Sequence, residues 1–200
     1  MGSEQLPKHK GHTGRGRRKR VRVERLATEI DRVNRWIGRA LAWLVLAKVL
    51  LQFALVIARY VFGVGSIAAQ ESLLYMNGML FLLAAGYTLL LDGHVRVDIL
   101  YSGASPRVRA ALDLAGVFLF LLPFCVAIWI QAFPYVAASW EIREGSRETS
   151  GLQAVFLFKS AMLLFVVLLA LQGVSLALRA WLVIAGGANS TKSSLPDEGR

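Results

Sequence analysis

Four long runs of apolar residues dominate this 200-residue chain and limit what it can fold into. A helix needs about 20 such residues to cross a hydrocarbon core of about 30 Å. Within lipid a backbone must satisfy its own hydrogen bonds, which favours helices over irregular structure. The mean hydropathy of +0.51 agrees with membrane insertion. We therefore predict an all-α integral membrane protein with four transmembrane helices, over residues 37–62, 72–91, 108–138 and 152–184.

The positive charges are concentrated at the N-terminal end. Twelve of the 23 Lys and Arg residues lie within residues 8–39, so the formal net charge of +10 belongs mainly to this segment. We predict that residues 1–35 form a disordered basic tail. Residues 23–36 have the pattern of a helical lead-in on the membrane surface. Residues 185–200 predict a second disordered tail. A Lys/Arg run is also typical of nucleic-acid binding. Directly before a membrane span, however, such a run favours binding to anionic lipid headgroups. We therefore expect membrane lipids, and no nucleic acid, as a partner of this segment.

The distribution of Lys and Arg between the connectors predicts the orientation in the membrane. If the N-terminus is cytoplasmic, that side also carries three cations in residues 92–109 and three near the C-terminus. The opposite side carries Arg59, Arg143 and Arg147. Because cytoplasmic segments are enriched in Lys and Arg, both termini are predicted to be cytoplasmic. A signal peptide is the alternative for the first run, which is however longer than the roughly 7–15 apolar residues of such a peptide.

A charged connector separates the second and third runs. His94 and Asp98 are four residues apart and would share one face of a helix, and the apolar residues over 97–104 follow helical spacing. We predict a short amphipathic helix on the membrane surface between spans two and three. A strand over residues 94–99 is the alternative, because these residues also alternate. Ser105 and Pro106 predict the N-cap and first residue of the next helix. One His with one Asp lacks the ligands of a metal site.

Few polar residues interrupt the apolar runs. Lys48 lies inside the first run, where we expect its side chain to reach toward the membrane surface. Glu71, at the start of the second run, fits a helix cap or a contact with a partner. Pro123 and Pro134 predict a bend in the third span or its end near Pro134. No histidine lies within a span to bind haem, and no carboxylate lies deep in one, so we expect neither an enzyme, a cofactor nor an autonomous carrier.

Several local motifs together resemble the small, DctQ-like membrane subunit of tripartite ATP-independent periplasmic (TRAP) transporters. Residues 59–62, RYVF, resemble the signature that closes the first span, and Glu71 resembles the acidic residue that enters the second. Residues 93–98, GHVRVD, resemble a motif of Gly-His, an aliphatic residue, any residue, an aliphatic residue and Asp. Residues 139–152 resemble the loop before the last span. The resemblance extends over about residues 36–182.

The resemblance implies a bacterial inner-membrane protein with two protein partners. A large TRAP membrane subunit would perform sodium-coupled uptake of an organic acid, which a periplasmic binding protein delivers, while the small subunit braces the large one. It implies subunit-contact or structural roles for Arg59, Tyr60, Glu71, His94, Arg96 and Asp98, and docking of the binding protein at Arg143, Glu144 and Arg147. An unrelated four-helix scaffold or sensor, and a membrane enzyme or redox protein, are the alternatives.

Overall fold

The computed structural model describes residues 13–91 and 103–192, with side chains described for residues 20–91 and 103–185. Within these residues the regular structure is helical throughout, which confirms the predicted all-α class. The helices are α1 (Thr13–Phe62), α2 (Ile67–Leu90), α3 (Pro106–Gly116), α4 (Leu122–Glu141) and α5 (Val155–Lys192), and a π-helical turn over Val117–Leu121 joins α3 to α4. Four helical segments are long and apolar enough to span a membrane, as predicted: Arg20–Phe62, Ile67–Leu90, Pro106–Glu141 and Val155–Ala185.

α1 is much longer than the predicted first span. Its 50 residues run without a break from Thr13 to Phe62, which corresponds to about 75 Å. A hydrocarbon core is only about 30 Å thick, so a large part of α1 projects beyond it. Residues 20–35, expected in a disordered tail with a helical lead-in on the membrane surface, instead form one continuous helix with the first span. Burial of Ala27, Asp31 and Asn34 explains the difference, because this packing comes from distant residues. α5 likewise continues to Lys192, beyond the predicted end near residue 184.

Local signals at the helix ends act as their residue types predict. Gly63 has a φ of 68°, a left-handed conformation that stops α1 and that glycine adopts without strain. The Ser66 hydroxyl accepts a hydrogen bond from the Ala69 N–H at 3.3 Å and caps α2. Ser105 caps α3 in the same way, with Pro106 as the first helical residue, which confirms that prediction. Residues 92–102, which contain most of the predicted surface helix, lie outside the described residues.

The third span is irregular near only one of its two prolines. Pro123 has no N–H to donate to the preceding turn, and the π-helical turn over Val117–Leu121 lies directly before it. There the Leu122 N–H bonds to the Val117 carbonyl, five residues earlier. α4 continues past Pro134 to Glu141, so the alternative that the helix ends near Pro134 is wrong.

α5 is the central helix of the bundle. It packs against α1 and α2, which also contact each other, and against α3 and α4. In its most apolar stretch 39% of residues are buried, compared with 6% in α1 and in α2 and 11% in the third span. The bundle has two ends. The loop end contains the connector 63–66 and the loop 142–154, and the tail end contains residues 20–35 of α1 and the part of α5 around Arg179.

Candidate functional site

At the loop end, Glu71 attaches the loop 142–154 to α2. Its Oε2 accepts a hydrogen bond from the Leu152 N–H at 2.6 Å, and its Oε1 accepts one from the Ser146 hydroxyl. A Cβ added at Gly151 would lie 2.6 Å from Glu71 Oε2, so the close approach depends on glycine. Glu71 lies beyond the first turn of α2, whose cap is Ser66, and the capping interpretation is therefore wrong. Its carboxylate instead joins segments that are far apart in the sequence.

A second carboxylate, Glu144, fixes the same loop to α5. It accepts a hydrogen bond from the Ser139 hydroxyl at 2.7 Å and another from the Lys159 ammonium. These bonds, the Lys159 bond first, hold the pKa of Glu144 below its usual value. The Lys159 Nζ also lies 3.9 Å from the centroid of the Tyr135 ring, a cation–π contact. Two of the acidic residues of the loop end are thus bonded within the chain.

The two loop arginines are placed differently from Glu144. Arg143 follows the end of α4 with a φ of 45°, which is uncommon for a residue with a side chain, and its N–H bonds to the Trp140 carbonyl at 3.2 Å. Arg143 and Arg147 are both exposed, whereas Glu144 is half-buried. The predicted docking set therefore divides into two outward residues and one that anchors the loop, and its docking role stays a prediction.

At the tail end, a buried polar cluster joins α1 to α5. Asp31 Oδ1 accepts hydrogen bonds from the Ser175 hydroxyl at 2.8 Å and from Gln172 Nε2 at 3.1 Å, and Oδ2 is paired with Arg179. Asn34 Nδ2 donates to Gln172 Oε1 at 2.8 Å. Asp31 and Asn34 are only 2% and 1% exposed. The cluster holds residues 27–34 of α1 against the C-terminal half of α5.

Sequence reasoning missed this tail-end cluster, although a signal for it exists. Asp31 and Asn34 are three residues apart, and Gln172, Ser175 and Arg179 follow at intervals of three and four, so each set lies on one helix face. A polar stripe inside an otherwise apolar span indicates contact with another polar surface, because lipid cannot satisfy it. Its partner residues on α1, Asp31 and Asn34, were not recognised because they lie in a strongly basic segment that was predicted to be disordered.

A polar groove lies between α1 and α2. Lys48 was predicted to extend toward the membrane surface. Its Nζ instead donates a hydrogen bond to Asn77 Oδ1 at 2.5 Å, from α1 to α2. The groove has a volume of ≈ 540 Å³. Arg59 and Tyr60 line it as well, and Tyr60 is 81% exposed. Arg59 and Tyr60 lie in the last turn of α1 and line the loop end of this groove, and their predicted contact role stays a prediction.

The remaining predicted residues, His94, Arg96 and Asp98, lie outside the described residues. Across the residues that the structure does describe, no group of three His, Cys, Asp or Glu side chains is close enough together to hold a metal ion. The described polar contacts between segments include the Glu71 and Glu144 anchors of the loop, the tail-end cluster, and the Lys48–Asn77 bond.

The comparison with known families is specific. The family model described as "Tripartite ATP-independent periplasmic transporters, DctQ component" matches residues 48–183. This range begins at Lys48 and includes α2, α3, α4, the loop anchored by Glu71 and nearly all of the apolar part of α5. No curated protein and no solved structure matches the chain. Because the match covers well over half of the sequence, this multi-pass membrane protein belongs to the DctQ family and is a component of a tripartite ATP-independent periplasmic transporter.

Proposed function

We propose that this protein is the small permease subunit that braces the large membrane subunit of its TRAP transporter. In this proposal the large subunit performs sodium-coupled uptake of an organic acid, and a periplasmic binding protein delivers that acid. The small subunit lies in the bacterial inner membrane with both termini in the cytoplasm. The family match over residues 48–183 is the observation that carries the proposal.

The internal bonding of the bundle supports a bracing role. Polar side chains that lie between helices bond to each other at both ends, which rigidifies the bundle. The outward surface is apolar along α1, where Val49, Phe53 and Val56 are exposed. Membrane helices associate through close packing and a few polar contacts, so a rigid bundle with such a surface suits a scaffold.

Affinity purification in mild detergent tests the proposal. A tagged form of this chain is produced together with the other components of its transporter, and the large membrane subunit is expected in the eluate at a near-stoichiometric ratio. Sodium-dependent uptake of the acid into cells should require both membrane subunits. Recovery of this chain alone, together with full uptake in its absence, would contradict the proposal.

The loop end is the proposed docking surface for the binding protein, with Arg143 and Arg147 as its exposed cations. Reversing both charges, Arg143→Glu with Arg147→Glu, should reduce uptake and the salt dependence of uptake, while leaving recovery of the large subunit unchanged. Arg25→Glu, an exposed change at the tail end, serves as the control. Glu71 and Glu144 are unsuitable for this test, because their carboxylates hold the loop in place. Unaltered uptake by the double variant would argue against docking here.

For His94, Arg96 and Asp98 we propose a role in holding the connector after α2 against the next helix or the large subunit. Asp98→Ala should then reduce the amount of large subunit that co-purifies. Wild-type complex yield together with wild-type uptake would remove this role.

A further inference from the structure

The polar groove between α1 and α2 combines cations with amide groups. Lys48, Gln52 and Arg59 line it from α1, at intervals of four and seven residues that place them on one helix face. Gln70 and Asn77 line it from α2. None of the described residues that line the groove is acidic. The two positive charges therefore face an open groove without an anion from the groove walls.

The contact between Lys48 and Asn77 lies deep in the membrane-spanning region. Lys48 is 14 residues before the end of α1, and Asn77 is 10 residues after the start of α2. At 1.5 Å per residue these positions are about 21 Å and about 15 Å from the ends of their helices. With these two helix ends at the surface of a hydrocarbon core about 30 Å thick, the contact is placed near the middle of the core rather than among the headgroups.

Asn77 satisfies only part of what the Lys48 ammonium requires. An ammonium has three N–H donors, and a neutral amide oxygen accepts one of them without neutralising the charge. Ionisable groups within membrane proteins are found paired or facing water, and an unpaired one is costly. Lipid phosphates lie at the surface, about half a bilayer thickness away. A carboxylate on a transmembrane helix is the anion that occurs at the depth of Lys48.

From this geometry we propose that the groove between α1 and α2 receives a transmembrane helix of the large subunit, and that this helix presents an Asp or Glu to Lys48. The inference rests on the proposed function, because it assigns the surface and the chemistry of that subunit contact. Lys48 supplies the positive charge, Asn77 orients the ammonium, and Gln52 and Gln70 offer amide groups to the backbone or side chains of the same helix. Arg59, nearer the loop end, provides a second cation along its path.

Substitution of Lys48 separates this contact from the folding of the chain. Lys48→Met removes the charge but keeps a long unbranched side chain, and Lys48→Glu opposes the carboxylate of the partner. We expect both to lower recovery of the large subunit in mild detergent, by about fivefold or more. The thermal midpoint of the isolated chain should stay the same or rise with Lys48→Met, because an uncompensated charge is lost. Lys48→Arg should retain the complex.

Gln131→Leu provides a matched control. Gln131 is also an exposed polar residue within a span, but it lies on α4, away from the polar groove. Its replacement should leave recovery of the large subunit unchanged. If Lys48→Met and Lys48→Glu also leave recovery unchanged, the proposed contact is wrong.

Photo-crosslinking identifies the occupant of the groove. A photoreactive phenylalanine analogue replaces Leu74, which lines the groove and is 63% exposed. In a control chain it replaces Phe118, which is 60% exposed and does not line the groove. A crosslink from position 74 to the large subunit, absent from position 118, supports the proposal. Crosslinks from position 74 only to lipid, or only to a second copy of this chain, would overturn it.

The two proposals fail in different ways. If wild-type chain recovers no large subunit, the proposed function itself fails. If wild-type chain recovers it and the Lys48 variants and position 74 behave as the controls do, only the assignment of the groove fails.

Discussion

The tail-end cluster yields a stability prediction whose size follows from its contacts. Asp31 is 2% exposed and accepts hydrogen bonds from Ser175, Gln172 and Arg179. Asp31→Ala removes this acceptor. Gln172 Nε2 is then left buried without its partner, at a cost of about 1–3 kcal/mol. Ser175 loses less, because its hydroxyl already lies 3.2 Å from the Ala27 carbonyl oxygen.

The ion pair with Arg179 adds little to this total. The Arg179 side chain is 54% exposed, so water can solvate its charge once Asp31 is gone. Such a pair contributes about 0–1 kcal/mol. The expected loss in the free energy of unfolding is therefore about 1–4 kcal/mol for Asp31→Ala. Asp31→Asn, which keeps one acceptor oxygen, should lose less than half as much.

Two measurements check this prediction. Unfolding in mixed micelles, followed by circular dichroism, reports the free energy, and hydrogen exchange reports where the structure opens. Protection should fall over residues 20–35 of α1 and much less over α2. Glu29→Ala is the control, because the Glu29–Arg32 pair is 2.6 Å long but its side chains are 59% and 66% exposed, and its loss should cost at most about 0.5 kcal/mol. Equal stabilities for the two variants, with unchanged exchange at residues 20–35, would refute the reasoning.

Three further predictions concern the loop and the helix packing. The Lys159 and Ser139 bonds lower the pKa of Glu144, so they stabilise the loop fully at pH values above the usual Glu pKa. This stabilisation is lost as the pH falls through the lowered pKa, and the thermal midpoint of the wild type should fall in that pH range. The thermal midpoint of Glu144→Gln should vary less with pH. Glu71→Ala should release the loop and speed trypsin cleavage after Arg147, whereas Glu141→Ala, an exposed change, should not. Gly86→Ala would place a Cβ 2.5 Å from Asn34 Oδ1 and should lower the free energy of unfolding by about 1–3 kcal/mol. Gly116→Ala is the control, because open space surrounds Gly116, and its thermal midpoint should stay the same or rise slightly.

The features predicted correctly from the sequence are those that depend on hydropathy or on neighbouring residues. The four spans follow from apolar runs, because each must cover its length with residues that lipid tolerates. The start of α3 follows from Ser105 and Pro106, whose roles depend only on their immediate neighbours. Helix ends that depend on partners were predicted less well. α1 extends to Thr13 where a tail was expected, because residues on α5 bury Asp31 and Asn34.

The contacts that define the sites join residues far apart in the chain. Asp31 and Ser175 are separated by 144 residues, and Glu71 and Leu152 by 81. Nothing local to Glu71 distinguishes an anchor for a distant loop from a helix cap. Lys48 illustrates the same limit, since its reach toward the surface and its bond to Asn77 are equally compatible with the sequence of α1. The sequence shows where polar residues lie within the spans, and the fold determines to which partners they bond.

The central position of α5 has a consequence for biogenesis. Of the four described spans α5 is translated last, yet the Glu71 anchor depends on the loop just before it and the Asp31 cluster depends on its C-terminal half. Until α5 is translated, the α1–α2 hairpin and the α3–α4 segment lack the helix that packs against both of them. A chain that stops before residue 155 contains three of the four spans but lacks the helix that packs against each of them, and it leaves Asp31 without Gln172, Ser175 and Arg179.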